Sequence, residues 1–283
     1  MPLRSTAIAI VLGIALVQVN HLRADPAFGN AFRASAGDKT GPSKDSIAKA
    51  EAALKEHLEK AKATGGTILR IHNPALAKDF PDDVFFALRF RLFPVARRLP
   101  EGMKASNIFV VSKEGKVQHL RDAKELEKFF QKHLPAVKKQ DQAQNALVGW
   151  LLLAQEFHQD GLFIFEVLSK AFAVEEQGKR LEARGRAVVM KGGNGEVTVT
   201  MTFADGKLTK VEPSGKVIPG PRPICQATKL LDADPIVRKM AEQDLLFMGL
   251  AAKEYLDEQR AQAGPELRRA IDRLWQRIQK NGW

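Results

Sequence analysis

The stretch RAVVMKGGNGEVTVTMTFADGKLTKVEP, residues 186–213, has the pattern of three β-strands joined by two tight turns. In its middle strand, apolar Val197, Val199 and Met201 alternate with threonines, which is typical of a strand with one buried face. The glycines of KGGNG and ADGK suit the positive-φ positions of short hairpin turns. The stretch therefore predicts an antiparallel meander.

Helical patterns precede this meander. Residues 46–63 carry apolar side chains at spacings of three and four, and Asp122 with Glu125 forms a capping box for a second helix. Asp141 and Gln144 repeat that signature, and the helix after them is expected to lie across the meander. Its predicted apolar stripe is Leu147, Trp150, Leu151, Ala154 and Phe157. Helices and antiparallel strands in separate runs indicate an α+β fold.

The run VFFALRFRLF, residues 84–93, predicts a further strand. Phe86, Leu88 and Phe90 alternate with arginines, so we expect one apolar face to be buried and the face with Arg89 and Arg91 to be exposed.

We divide the chain at changes in composition. IPGPRP, residues 218–223, marks one boundary, because proline removes backbone donors and interrupts helices. The predicted parts are a signal peptide (1–24), a flexible linker (25–45), an α/β region (46–140), a helix plus antiparallel β-meander (141–218) and a short all-α module (224–283).

The N-terminus indicates export. Arg4 is followed by an uncharged apolar run over residues 5–20 and then by Ala24, as in a secretory signal peptide. That run is short for a bilayer span. We expect a periplasmic or secreted protein, with an uncleaved N-terminal membrane anchor as the alternative. Cys225 is the single cysteine, so an intramolecular disulfide is excluded, while a free thiol and a bridge to another chain both stay open.

DADPIVRKMAEQDLLFMG, residues 232–249, carries the spacing D-x-x-V-R-x-x-A-x-x-x-L-x-x-x-G through Asp234, Val237, Arg238, Ala241, Leu245 and Gly249. It resembles the HEAT and HEAT-like helical repeats. The resemblance extends over residues 232–278, about one repeat, whereas a solenoid needs about three. It implies packing or protein binding and carries over no catalytic residue. The module is therefore either a cap on the α/β part or a docking piece for another envelope protein. Candidate contacts to a partner helix are Arg238, Arg268, Arg269 and Arg273.

The rest of the chain resembles exported bacterial proteins that have no assigned function. We predict no catalytic, metal-binding or cofactor-binding residues, because the six histidines form no metal-ligand spacing and no phosphate-cradling glycine loop occurs. His158 in QEFHQDG, near Glu156, is the best isolated candidate for an acid–base group. The leading hypothesis is a non-catalytic interaction or scaffold protein of the cell envelope; whether the chain is an enzyme stays open.

Two alternatives accompany that hypothesis. One is an envelope hydrolase acting on glycan or peptide with an unrecognised site. The other is a polyanion-binding module, since the net charge is +11 and Arg89, Arg91, Arg97 and Arg98 cluster in sequence. For an exported protein the polyanion would be an anionic glycan or lipid headgroup sooner than nucleic acid.

Overall fold

Two antiparallel sheets and seven helices form the fold in the part of the chain that the structure describes, residues 41–95 and 98–281 of a computed structural model. The helices are α1 (Lys44–Lys60), α2 (Pro74–Asp79), α3 (Ala123–His133), α4 (Gln140–Ala154), α5 (Pro235–Met248), α6 (Lys253–Gln262) and α7 (Pro265–Asn281). The strands are β1 (Thr67–Ile71), β2 (Asp83–Arg89), β3 (Ser106–Ser112), β4 (Val117–Leu120), β5 (Ile164–Val167), β6 (Ala173–Gln177), β7 (Arg180–Lys191), β8 (Gly193–Ala204) and β9 (Lys207–Pro219). The α+β class is confirmed.

The predicted signal peptide, its alternative as an anchor, and linker residues 25–40 lie outside the described residues. Helix α1 begins at Lys44, two residues before the predicted start, because the Ser43 hydroxyl caps it by accepting from the Ser46 N–H. In the described ranges, no helix combines the length and the apolar content that crossing a bilayer requires.

The second sheet contains the predicted meander. Its strand order is β5-β7-β8-β9, with β6 also paired to β7 in a hairpin that the sequence analysis did not identify. Val197, Val199 and Met201 are buried, which confirms the inward face of β8. Helix α4 lies across this face, as predicted. The helix comes close to Gly185 of β7, where a Cβ would stand 2.8 Å from Leu147 Cδ2.

The prediction that α4 buries a single stripe is wrong. Leu152 and Leu153 are buried as well as the predicted residues Leu147, Trp150, Leu151 and Ala154. Helices α2 and α3 cover the side that faces away from the second sheet, where the rings of Trp150 and Phe130 meet at 5.3 Å. Residues 149–154 are all buried, whereas Asp141 and Gln144 in the first turns are exposed, so other elements surround only the second half of α4.

The predicted cap of α4 is also wrong. The helix begins at Gln140 with Lys139 as its N-cap, rather than at Asp141. The Gln142 side-chain oxygen accepts from the backbone N–H groups of Lys138 and Lys139, at 2.8 and 3.1 Å. By contrast, Asp122 caps α3 as predicted, accepting from the Glu125 N–H at 2.9 Å.

The first sheet has the order β1-β2-β3-β4, and both of its faces are covered. The one-sided burial predicted for β2 is therefore incomplete. Phe86 and Leu88 pack in a cluster with α1, while Phe85 faces the opposite side and meets Phe80 and Phe129 at ring distances of 5.5 and 5.8 Å. Helix α1 covers one face, and α2 with α3 covers the other.

The C-terminal helices enclose a separate buried cluster that includes Leu245, Tyr255 and Ile278. Asp234 caps α5 and Gly249 ends it at a positive φ of 58°, as predicted. The Tyr255 hydroxyl accepts from the Ala227 N–H at 2.8 Å, and this hydrogen bond connects the segment before α5 to α6. That the C-terminal helices belong to the HEAT-like repeats stays a prediction, and so do the domain boundaries. One buried cluster contains residues from both sides of the predicted boundary at 140/141.

We expect Gly185→Ala to lower the free energy of unfolding by about 1–3 kcal/mol, because the added methyl would overpack the contact between α4 and β7. It would meet Leu147 and the Phe172 ring at less than 3 Å. The matched control is Gly264→Ala, where no heavy atom lies within 4 Å. Urea unfolding followed by circular dichroism measures both. Equal stability of the two variants would contradict the close approach.

A second prediction concerns Asp79 at the end of α2. Its Oδ2 atom is buried without a hydrogen-bond partner in the described part of the chain, and burial raises its pKa from 3.8 to about 6. The folded state therefore holds the proton more tightly than the unfolded state. Ionised Asp79 lowers stability above pH 6, and this penalty disappears as the pH falls below 3.8.

Asp79→Asn should consequently raise the free energy of unfolding by about 1 kcal/mol above pH 6. This advantage should disappear below pH 3.8, where Asp79 is protonated in both states. Urea unfolding at both pH values measures the difference. Asp82→Asn is the control, because the Asp82 side chain is 64% exposed and faces Lys113. A gain for Asp79→Asn that is equal at both pH values would be inconsistent with the raised pKa.

Candidate functional site

Arg89, the first residue of the predicted polyanion group, has an internal acidic partner. It stands at the end of β2, and its Nε donates to Glu156 Oε2 at 3.0 Å. Glu156 belongs to the 3₁₀ turn Gln155–His158 that continues α4, and its side chain is only 3% exposed. Ser106 Oγ donates to the same carboxylate at 2.7 Å. The three side chains connect the first sheet to the end of α4.

Arg91 has a comparable position. Its NH1 atom lies 2.8 Å from Glu258 Oε2, and its guanidinium lies over the Tyr255 ring at 5.0 Å from the centroid. This arginine therefore contacts helix α6. Arg98 is exposed, and Arg97 lies outside the described residues. Polyanion binding stays a prediction, and two of its four arginines are already engaged with carboxylates of the same chain.

The structure does not bring His158 and Glu156 together. His158 is exposed, whereas the Glu156 carboxylate is directed to Arg89 and Ser106. Nearby Asp160 pairs with Arg222 at 2.6 Å, and the Arg222 guanidinium lies over the Phe163 ring. Among the described residues, no group of three or more His, Cys, Asp or Glu side chains is arranged to hold a metal ion.

The four arginines predicted to contact a partner helix fall into two kinds. Arg238 donates to the carbonyls of Asp232 and Ala233, and Arg268 donates to the Ala263 carbonyl, so both stabilise local turns. Arg269 and Arg273 are exposed on α7. Contact with a partner stays a prediction for all four.

Helix α5 has a second apolar face, which was not predicted from the sequence. Ile236, Met240 and Phe247 are 67%, 47% and 46% exposed, while Ala241, Leu245 and Met248 on the opposite face are buried. Exposed Ile224, Leu231 and Leu250 lie before and after this helix. The spacing of 236, 240 and 247 is present in the sequence, but the inward stripe by itself already predicts a helix there. We call Ile236, Met240 and Phe247 the outer face of α5.

Comparison with known proteins gives no relative: no protein-family model, curated protein or solved structure matches this chain.

Replacing the buried Glu156 tests the internal anchoring of Arg89. We expect Glu156→Gln to lower the free energy of unfolding by about 1–3 kcal/mol, because the neutral amide leaves a largely covered guanidinium without its counter-charge. Thermal and urea unfolding measure the change. The control is Glu212→Gln, whose partner Lys210 is 61% exposed, and it should change stability by less than about 0.5 kcal/mol. A wild-type stability for Glu156→Gln would show that Arg89 needs no internal partner.

Proposed function

We propose that this chain is a non-catalytic interaction protein that associates with a second copy of itself through the outer face of α5. The supporting observation is that this helix is apolar on two opposite sides. A surface helix normally turns polar residues to water opposite its buried stripe. Placement in the cell envelope rests on the N-terminal sequence pattern.

The three residues of the outer face are close neighbours on the helix surface. With 3.6 residues per turn, positions 236, 240 and 247 fall within an arc of about 40°. Each side chain is roughly half exposed or more. They therefore form an apolar strip along one side of the helix, interrupted only by Gln243 within α5, rather than the scattered exposed residues that are normal on a protein surface.

The exposed area is sufficient for a modest dimer. Ile224, Leu231 and Leu250 are also 45% to 72% exposed. Summed with Ile236, Met240 and Phe247, they expose roughly 600 Å² of apolar surface, which is an upper limit for the contact area because Ile224, Leu231 and Leu250 lie outside α5. Two copies of this surface would bury about 1,200 Å² in total, which is the lower end of the range for stable interfaces.

The spacing along α5 suits a twofold antiparallel contact. Within α5, Met240 and Phe247 lie three and four residues from Gln243, so these two positions are nearly symmetric about it. A twofold axis near Gln243 would set Met240 opposite the partner's Phe247. The Gln243 amide, which both donates and accepts, would pair with the partner's Gln243.

Replacing two residues of the outer face tests this proposal. We expect the purified wild-type chain to show a monomer–dimer equilibrium by sedimentation, and Met240→Glu combined with Phe247→Glu to be monomeric at the same concentrations. Two carboxylates facing each other in an apolar contact would have to lose water without a partner. Circular dichroism should show unchanged helix content, because both side chains lie away from the buried cluster.

The matched control is Met190→Glu on β7. Met190 is 51% exposed and lies in the second sheet, so this variant should dimerise like the wild type. A wild-type chain that stays monomeric at every accessible concentration would refute self-association. Dimers that persist in the double variant would show that another surface makes the contact.

A further inference from the structure

A cleft lies beside β4, the edge strand of the first sheet. It is open to solvent and has a volume of about 550 Å³, within the range of small-ligand pockets. The end of α1 forms one wall, α3 forms another, and the loop before β3 closes one side. The lining residues that matter are His57, Met103, His119, Arg121, Glu125 and Lys128.

The inner part of the cleft has a flat aromatic surface. The His119 ring stacks on the fully buried Phe109 ring, with centroids 4.5 Å apart and planes inclined by 17°. The His57 ring meets the same Phe109 edge-on at 6.1 Å. One side of the His119 imidazole is thus covered by Phe109, and the residue also lines the cleft. A planar apolar group would find a stacking surface there.

Positive charge surrounds this surface. Arg121 and Lys128 line the cleft, and Lys104 Nζ donates to the Arg121 carbonyl at 3.0 Å. Glu125 is the one acidic residue lining the cleft, and its Oε1 lies 3.7 Å from Arg121 NH1. Two lining cations against one lining carboxylate leave a net positive charge where a ligand would enter, and Asp122 lies near Lys104 outside the lining.

The electrostatic state of His119 fits this arrangement. Burial, followed by the charge of Arg121, lowers its pKa from 6.5 to about 4; His57 and Lys104 act in the same direction and Glu125 opposes them. At neutral pH the imidazole is therefore uncharged. The cleft then combines a neutral ring at its base with cationic side chains near the surface.

We propose that this cleft binds a small aromatic carboxylate, with its ring stacked on His119 and its carboxylate directed to Arg121 and Lys128. Arginine and carboxylate form strong charge-assisted hydrogen bonds, and a planar body matches the imidazole face. This inference is independent of the proposed self-association, because none of its residues belongs to the C-terminal helices.

Titration of the full chain with 2-naphthoate tests the proposal. We expect saturable binding by calorimetry, with matching displacement of the His119 ring resonances in NMR spectra. The neutral 2-naphthalenemethanol should bind more weakly. Lys128→Gln should weaken 2-naphthoate binding roughly two- to fivefold, the effect of one partly exposed ion pair. Lys132→Gln, one turn further along α3, should leave the affinity unchanged.

A second pair of variants tests the stacking surface. His119→Phe keeps a flat ring and should retain binding, whereas His119→Ala should weaken it about fivefold. Thermal unfolding checks that both variants fold. If His119→Ala does not fold, the separate variants His119→Phe and Lys128→Gln still decide the outcome. Absence of saturable binding, or equal binding of the acid and the alcohol together with no effect of Lys128→Gln, would overturn the proposal.

Discussion

The burial on all sides of residues 149–154, the second half of α4, is the constraint on which the rest of the fold depends. This helix must fit between the second sheet and the pair α2 and α3, so its neighbours have to come close. Gly185 on β7 and Gly149 on α4 itself allow this, because a Cβ at the first would stand 2.8 Å from Leu147 Cδ2 of α4 and one at the second 3.0 Å from Leu76 Cδ2 of α2. The two sheets therefore share one buried cluster through α4.

The sequence was sufficient to predict the local elements and insufficient to predict their long-range partners. Alternation identified β8, and the Asp122 cap identified α3, because both signals lie within a few residues of each other. The partner of Arg89 is 67 residues away, at Glu156. Nothing in the alternating pattern distinguishes an arginine that faces water from one that faces a buried carboxylate.

The two candidate binding surfaces differ in how far they could be predicted from the sequence. The outer face of α5 was present in the sequence as regularly spaced apolar residues, although one helix can bury only one of two opposite stripes against its own domain. The cleft beside β4 could not be predicted from the sequence. Its residues come from α1, β4 and α3, and only the sheet register that pairs Phe109 with His119 brings the aromatic rings together.

The connection between the C-terminal helices and the sheets has a consequence for the order of unfolding. The C-terminal cluster is separate from the other two, and much of its attachment is polar: Arg91 with Glu258, and Thr67 Oγ1 with Glu254 Oε2 at 2.8 Å. Leu162 adds an apolar contact. The link between Thr67 and Glu254 is exposed to water, whereas the Arg91 side chain is only 17% exposed and lies over the Tyr255 ring. Because the C-terminal helices have a buried cluster of their own and the two sheets share another, we expect these helices to open as one cooperative unit before the sheets do.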